Sequence, residues 1–263
     1  MEIKIIDTHA HLDMPEFDLD RLDVLQRAAK SGVKTIVTIG IDVNSSRKAI
    51  DLAQQHSNIF ASIGIHPQES LNVTAEDIAQ LEYLSRQPRV VALGEMGLDF
   101  HRNPVPRDTQ LQVFNQQLEL ANKIALPIII HCRQAVPDML EILGKWSSAS
   151  GLQGPKGIIH CFSGELATAR QYIDMGFYIA LGAYIGYPSS QSFREVIRDI
   201  PLSRLVLETD CPFLPPQLYR GKRNEPSYTA LTLQVLADIK MLTLEEAARQ
   251  TTANAQAVFR LPN

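Results

Sequence analysis

Several signatures of common protein classes are missing from this sequence. No apolar run approaches the roughly 20 residues that a membrane-spanning helix needs. The first residues include the charged Lys4 and Asp7, where a secretory leader would have a basic segment followed by an apolar run. These absences argue against a membrane protein or a membrane partner, and they predict a cytoplasmic location.

Cysteine and positive charge are also scarce. The three cysteines, Cys132, Cys161 and Cys211, contain no Cys-x-x-Cys pair and cannot all form disulfides, which fits a reducing compartment. The chain has 25 Lys and Arg against 29 Asp and Glu, a net charge of −4. It lacks the basic excess of a stable nucleic-acid binder, so any phosphate polymer must be attracted locally.

What the sequence does contain is a regular alternation of short apolar runs and amphipathic segments. Strands are predicted at residues 3–11, 34–39, 60–65, 90–94, 127–131, 157–160, 178–181 and 204–208. Between them, apolar residues recur at helical spacing in stripes such as Leu19, Leu22, Leu25 and Ala28, and Leu111, Phe114, Leu118 and Ala121. Further helices are predicted near residues 44–55, 75–85, 136–146, 165–175, 191–199 and 228–241, and a last one starts at the capping pair Thr243 and Glu246 and runs towards Phe259.

Eight strands at intervals of roughly 20 to 40 residues, each followed by a helix, predict a (β/α)8 TIM barrel. We expect one domain that covers residues 1–263. The alternative is a doubly wound parallel sheet, which ordinarily carries a glycine fingerprint after its first strand. Neither Gly-x-Gly-x-x-Gly nor Gly-x-x-x-x-Gly-Lys-Ser/Thr occurs in the chain.

A His-x-His pair, His9 and His11, closes the first predicted strand. Side chains two residues apart on a strand point to the same side, so both imidazoles can face one metal ion. In a barrel of this type the chemistry lies at the carboxyl ends of the strands. Five of the seven histidines fall at such ends, namely His9, His11, His66, His131 and His160. The carboxylates Glu95 and Asp210 also lie at strand ends. A buried cluster of this kind is costly unless it surrounds positive charge, which a pair of divalent ions supplies.

The ordered motifs resemble those of the TatD family of metal-dependent hydrolases. They are Asp7-x-His9-x-His11, Gly64-x-His66-Pro67, Gly94-Glu95-x-Gly97-Leu98-Asp99, His131-x-Arg133, His160-Cys161-Phe162-Ser163-Gly164, Glu208-Thr209-Asp210 and Tyr219-Arg-Gly-Lys-Arg-Asn224-Glu-Pro226. The resemblance runs from Asp7 to about Phe259. It implies an amidohydrolase-type TIM barrel that hydrolyses DNA phosphodiester bonds with divalent metal.

The same resemblance implies a ligand set for two metal ions. His9, His11, Glu95 and Asp210 would hold one ion. Glu95, His131 and His160 would hold the other, so that Glu95 bridges the pair. Zinc, manganese and magnesium are all candidates, because histidine ligands suit the first two and phosphodiester hydrolysis often uses the third.

Two of these ligands and four further polar residues are assigned to catalysis and substrate binding. Asp210 is predicted to be the general base that takes a proton from water, and Glu95 to be catalytic through the ions that it bridges. His66 is predicted to bind the scissile phosphate, with Arg133, Arg220 and Asn224 as further candidates. DNA is the predicted partner, as single strands or frayed ends, and the chain is expected to be a monomer.

Two alternatives stay open at the level of sequence. The same ligands would serve a hydrolase of carboxylic esters, lactones or amides, including an ester attached to RNA, because an activated water attacks carbonyl and phosphoryl centres alike. A non-catalytic barrel that binds a partner is the third possibility, although it would not need the complete ligand set. Cys132 and Cys161 are predicted to face the helix layer as small buried residues, and His101 is expected on the loop surface with no assigned role.

Overall fold

The computed structural model describes residues 3–101 and 104–262. The strands are β1 Ile5–Ala10, β2 Val33–Ile39, β3 Ile59–Ile63, β4 Val90–Asp99, β5 Ile128–Arg133, β6 Gly157–Ile159, β7 Phe177–Leu181 and β8 Leu205–Leu207. The helices are α1 Arg21–Lys30, α2 Val43–Gln55, α3 Ala75–Leu84, α4 Arg107–Ile124, α5 Val136–Ala149, α6 Leu166–Asp174, α7 Gln191–Asp199, α8 Thr229–Lys240 and α9 Leu244–Phe259. Within the described ranges, no helix is long and apolar enough to cross a membrane.

The strands form one parallel sheet in the order of the sequence, from β1 to β8. The sheet closes on itself where β1 meets β8, because Ala10 bridges Cys211 and the His11 N–H donates to the Cys211 carbonyl at 2.8 Å. Strands that alternate with helices and close in this way confirm the predicted (β/α)8 TIM barrel.

Alternation along the strands sorts the apolar residues into two layers. In β7, Phe177, Ile179 and Leu181 pack with the helices, whereas Tyr178 and Ala180 belong to the barrel interior. The interior cluster continues into Val258 and Phe259 of α9, so the last helix packs against one end of the barrel. The opposite end, where the strands terminate, is left for polar side chains.

The first predicted apolar stripe is partly wrong. Helix α1 begins at Arg21, so Leu19 lies outside it, and both Leu19 and Leu22 are exposed. Leu25 and Ala28 of the predicted stripe are buried, and Val24 is buried with them. A stripe drawn through Leu19 assumed a helix that starts earlier than it does.

Strand β4 is longer than its apolar run predicted, ending at Asp99 rather than Gly94. Its pairing with β5 is irregular between Leu93 and Met96, which is where Glu95 lies. Gly94 has φ +135°, and a Cβ at this position would lie 2.4 Å from the Ile129 carbonyl oxygen. Only glycine allows β4 to pass so close to β5 and direct Glu95 into the barrel mouth.

Two buried glutamines of α4 fix the backbone at the mouth. The Gln117 side chain accepts from the Ile65 N–H at 2.8 Å and donates to the Ile65 carbonyl at 2.9 Å, just before His66. Gln110 does the same for both backbone groups of Asp99, each at 2.9 Å. These amides satisfy loop groups that burial has removed from water.

Replacing Gln117 with Met, which fills similar space without polar atoms, is expected to lower the free energy of unfolding by about 2 to 4 kcal/mol. The reason is that both backbone groups of Ile65 would stay buried without a partner. Urea unfolding in the presence of chelator would measure the change without any contribution from metal. The exposed Gln112→Met on the same helix is the control, with a change within about 0.5 kcal/mol. Equal effects of the two substitutions would contradict this account.

Candidate metal centre

The ionisable residues predicted at the strand ends meet in one cluster at the barrel mouth. All of them except His9 line a cavity of about 330 Å³ that is also bordered by loops after several strands. His9, His11 and Glu95 are almost completely buried, at 1%, 3% and 3% exposure. The cluster therefore holds charge in a region from which most water is excluded.

Glu95 lies at the centre of the cluster, with its two oxygens facing different histidines. Oε2 lies 3.3 Å from His9 Nε2 and 3.8 Å from His11 Nε2. Oε1 lies 2.6 Å from His131 Nδ1 and 3.7 Å from His160 Nε2. The two oxygens of one carboxylate thus lie near two separate groups of ligand atoms.

Asp210 lies near three of these histidines. Its Oδ1 lies 3.5 Å from His11 Nε2, 3.8 Å from His9 Nε2 and 3.7 Å from His160 Nε2. The structure therefore places Asp210 next to ligands of both predicted ions. Its position follows from barrel closure, because its backbone N–H donates to the His9 carbonyl at 2.9 Å.

Asp7, the first residue of the Asp-x-His-x-His motif, links β1 to the residues that follow β8. Its buried carboxylate accepts from the Thr209 N–H at 3.0 Å and the Thr209 hydroxyl at 2.6 Å. The His9 N–H also donates to it, at 3.2 Å. The carboxylate thereby fixes the spacing between His9 and Asp210.

The outer ring nitrogens of two histidines are fixed by hydrogen bonds. His11 Nδ1 lies 3.2 Å from the Ile39 carbonyl, and His160 Nδ1 lies 2.9 Å from Glu208 Oε2. Each acceptor requires a proton on Nδ1, which leaves the Nε2 lone pair directed into the cluster. This is the arrangement that a metal-binding imidazole needs.

His131 lies between two carboxylates, with Nδ1 at 2.6 Å from Glu95 and Nε2 at 3.3 Å from Asp99. Asp99 is buried and also accepts from the Gln68 side chain and the His101 N–H. It is therefore placed to orient the His131 ring. His101 itself lies on the loop after β4, where its backbone N–H makes this contact.

The buried carboxylates of the cluster favour positive charge among the ligands. Burial opposes ionisation of Glu95, but the neighbouring His66, His160 and His9 outweigh it and hold its pKa well below the ordinary value. Burial likewise disfavours charged His160, yet Glu208, Glu95 and Asp210 raise its pKa to about 10. Imidazoles that gain protons among carboxylates occupy positions where divalent ions would replace those protons. The donor set thus fits divalent metal.

His66 differs from the other imidazoles in its hydrogen bonding. Its Nδ1 accepts from the Gln68 N–H at 3.2 Å, so a neutral ring carries its proton on Nε2. That Nε2 lies 3.5 Å from Glu95 Oε1 at the cavity wall. His66 also forms, with Glu95 and His131, a group whose ligand atoms lie close enough to hold a metal ion, so its phosphate-binding role stays a prediction.

The other predicted substrate-binding residues are placed differently from one another. Arg133 is exposed and lines the cavity. Arg220 is exposed, and its guanidinium lies 4.8 Å above the Tyr187 ring. Asn224 is fully buried: its amide donates to the Thr209 and Phe213 carbonyls, and its Oδ1 accepts from the Glu225 N–H. Its polar atoms are engaged within the protein, so Asn224 holds the loop after β8 and does not face a substrate.

The prediction for the cysteines is half wrong. The Cys132 thiol lies 3.9 Å from the hydroxyl of Tyr172 on α6, as expected for the helix layer. Cys161 instead lies in a turn with φ +47°, and its sulfur is within 4.8 Å of ligand atoms of His160 and Asp210. Strand β6 ends at Ile159, so strand alternation no longer applies to Cys161. Burial and the carboxylates of Asp210 and Glu208 raise the pKa of its thiol, which makes it a poor nucleophile.

Glu208 and Asp99 stand inside the motifs at the strand ends, but the sequence predicts no role for either of them. Glu208 is completely buried and accepts from the Cys161 N–H at 2.7 Å as well as from His160. Both carboxylates belong to motifs at the strand ends, as the ligands do. Their position at the strand ends is the signal in the sequence that places these two carboxylates near the site. It does not indicate which histidine each carboxylate contacts.

Fold and site together are those of a metal-dependent hydrolase on a (β/α)8 barrel. Residues 6–260 match the family described as TatD related DNase, and the chain belongs to this family.

Relatives match almost the whole chain. The uncharacterized metal-dependent hydrolase YabD of Bacillus subtilis is 41% identical, with 98% of this chain and 99% of the relative covered. The protein named 3′-5′ ssDNA/RNA exonuclease TatD of Erwinia amylovora is 35% identical, with coverage of 98% and 100%. The crystal structure of the TatD homologue YjjV from Escherichia coli superposes with a TM-score of 0.93 at 31% identity, and both chains are covered completely.

Replacing Glu208 with Gln is expected to weaken metal binding about 10- to 100-fold. An amide has one acceptor oxygen, whereas the His160 ring and the Cys161 N–H both need an acceptor, so the His160 ring would lose its fixed orientation. Calorimetric titration of the apoprotein with zinc would measure the affinity. The exposed Glu195→Gln on α7 is the matched control. Unchanged zinc affinity in Glu208→Gln would show that His160 needs no orienting carboxylate.

Proposed function

We propose that this protein is a deoxyribonuclease that hydrolyses phosphodiester bonds of single-stranded DNA with two divalent metal ions, either zinc, manganese or magnesium. The observation that carries the proposal is Glu95, whose two oxygens face separate groups of histidines. A bridging carboxylate between two ligand groups is typical of two-metal phosphodiester hydrolysis. The substrate class is supported by the relative named as a single-stranded DNA and RNA exonuclease.

The proposed ligands are His9, His11, Glu95 and Asp210 for one ion and Glu95, His131 and His160 for the other. When bound, the ions supply Lewis acidity that activates water and neutralises charge on the phosphodiester. Every other step falls to side chains of the protein.

Asp210 is the proposed general base. It is the more exposed of the two central carboxylates, since 14% of its side chain is accessible against 4% for Glu95. Burial disfavours its ionised form, but His160, His11 and His9 outweigh burial and lower its pKa. An ionised carboxylate that reaches the cavity can orient a water molecule and accept its proton.

His66 and Arg133 are proposed to bind the scissile phosphate. His66 presents an N–H to the cavity, and Arg133 adds a guanidinium at its rim. Donors fixed in place before the reaction can stabilise charge that develops on phosphate oxygens. With an overall charge of −4, the protein surface does not attract the phosphate backbone of a DNA duplex over a wide area. This favours short or frayed single strands as the substrate. The monomeric state and the cytoplasmic location remain predictions.

Asp210→Asn and His131→Ala are each expected to reduce DNA cleavage at least about 100-fold, because one removes the proton acceptor and the other a metal ligand. The assay digests single- and double-stranded DNA labelled at the 5′ or 3′ end, with each metal added back to apoprotein and with chelator. Cleavage should require metal, and the products report polarity.

The exposed Asp51→Asn on α2 serves as a control that should cleave like the parent. Folding of each variant is checked by urea unfolding. No cleavage of any DNA by the parent with any of the three metals would contradict the nuclease proposal. Hydrolysis of carboxylic esters in a parallel panel would then identify the carbonyl alternative.

His66→Ala is expected to lower kcat on DNA about 100-fold while the metal content stays that of the parent, since His66 acts as a donor and not as a ligand. His66→Gln, which keeps an N–H donor, should recover part of the activity. His56→Ala, at the end of α2, is the control. Loss of metal from His66→Ala, measured by elemental analysis, would show instead that His66 is a ligand.

A further inference from the structure

The cavity over the metal centre has two unlike sides. The polar groups His66, Gln68, Asp99 and Arg133 come from the segments of β3 to β5. The apolar residues Met14, Phe213 and Leu214 follow β1 and β8, which meet where the barrel closes, whereas the apolar Ile41 follows β2 and lies beside His66. A ligand that fills this cavity therefore meets both charged groups and an apolar surface at Met14, Phe213 and Leu214.

Phe213 is the aromatic residue of the apolar side. Its ring centroid lies 6.0 Å from that of His11, so it directly adjoins the metal centre. Even so, 48% of Phe213 and 37% of Leu214 are exposed. Large apolar side chains that stay exposed beside a catalytic cavity mark a contact surface for a ligand.

The loop that carries Phe213 is held rigidly. The Phe213 N–H donates to the Asp210 carbonyl at 2.9 Å, and the Phe213 carbonyl accepts from the Asn224 amide at 2.7 Å. Leu214 has φ +49°, a conformation that a non-glycine residue keeps only when its surroundings impose it. The backbone that carries the ring is thus fixed before a ligand arrives, which reduces the entropy lost on binding.

We propose that Phe213 is the platform on which the nucleobase beside the scissile phosphate stacks. This inference rests on the proposed function, which places the phosphate at His66 and Arg133 across the cavity. A volume of about 330 Å³ lies at the small end of the range for ligand cavities, so it suits one nucleotide unit. Every nucleobase has a π-face, so stacking here recognises an unpaired base without selecting its identity. A base stacked on Phe213 must leave its own duplex, which makes single strands the preferred substrate.

The test compares two fluorescein-labelled hexanucleotides with phosphorothioate linkages, which resist hydrolysis. One carries thymine at each position, and the other carries abasic tetrahydrofuran units on the same backbone. Fluorescence anisotropy with manganese present measures the dissociation constants for the parent, Phe213→Ala, Phe213→Trp and Leu218→Ala. Leu218 lies on the same loop, is 77% exposed and does not line the cavity, so its substitution is a matched control.

The parent and Leu218→Ala should bind the thymine strand about 5- to 100-fold more tightly than the abasic strand, the effect of one stacked base. Phe213→Ala should bind the two strands within about twofold of each other, and Phe213→Trp should keep the preference. The inference is overturned if the parent has no preference, if Phe213→Ala retains it, or if Phe213→Ala weakens both strands equally. Cleavage of unmodified hexathymidylate by the parent, measured alongside, decides the proposed nuclease function separately from base stacking.

Discussion

The structure depends on one electrostatic requirement, the burial of Glu95 among the imidazoles at the barrel mouth. A carboxylate at 3% exposure is costly in the protein interior unless positive charge compensates it. Protons on His11, His131 and His160 provide that compensation in the metal-free protein, because the carboxylates around these rings raise their pKa values, that of His131 to about 9. Burial lowers this pKa, but the hydrogen bonds that the ring donates to Asp99 and Glu95 outweigh it. The cluster is a set of ligands whose charge favours a divalent ion.

The rest of the barrel holds this cluster in register by means of buried polar side chains. Asp7 ties β1 to β8, Gln117 fixes the backbone before His66, and Asn224 clamps the loop that begins at Asp210. Each of these groups satisfies backbone atoms that would otherwise be unpaired, so the polar network contributes stability and also positions the site. Rigid support of this kind is what the chemistry of a metal centre and of a stacked base both require.

The alternation of apolar runs predicted the barrel, and the histidines at strand ends predicted the cluster, because both follow from local periodicity and from the geometry of parallel strands. Departures arose where long-range contacts override that periodicity. Strand β4 extends through Gly94 because β5 lies against it, and Cys161 turns inward because β6 stops at Ile159. The partners of Glu208 and Asn224 are residues brought close by barrel closure, which motif spacing does not reveal.

The most direct measurement of the two-metal centre is anomalous X-ray diffraction from crystals grown with zinc, recorded at the zinc absorption edge. Two peaks about 3.5 to 4 Å apart, one beside each oxygen of Glu95, are the predicted result. One peak beside His9 and His11 should share Glu95 and Asp210, and the other should lie against His131 and His160. A single peak, or two peaks on the same side of Glu95, would contradict the bridging role that the arrangement of its oxygens indicates.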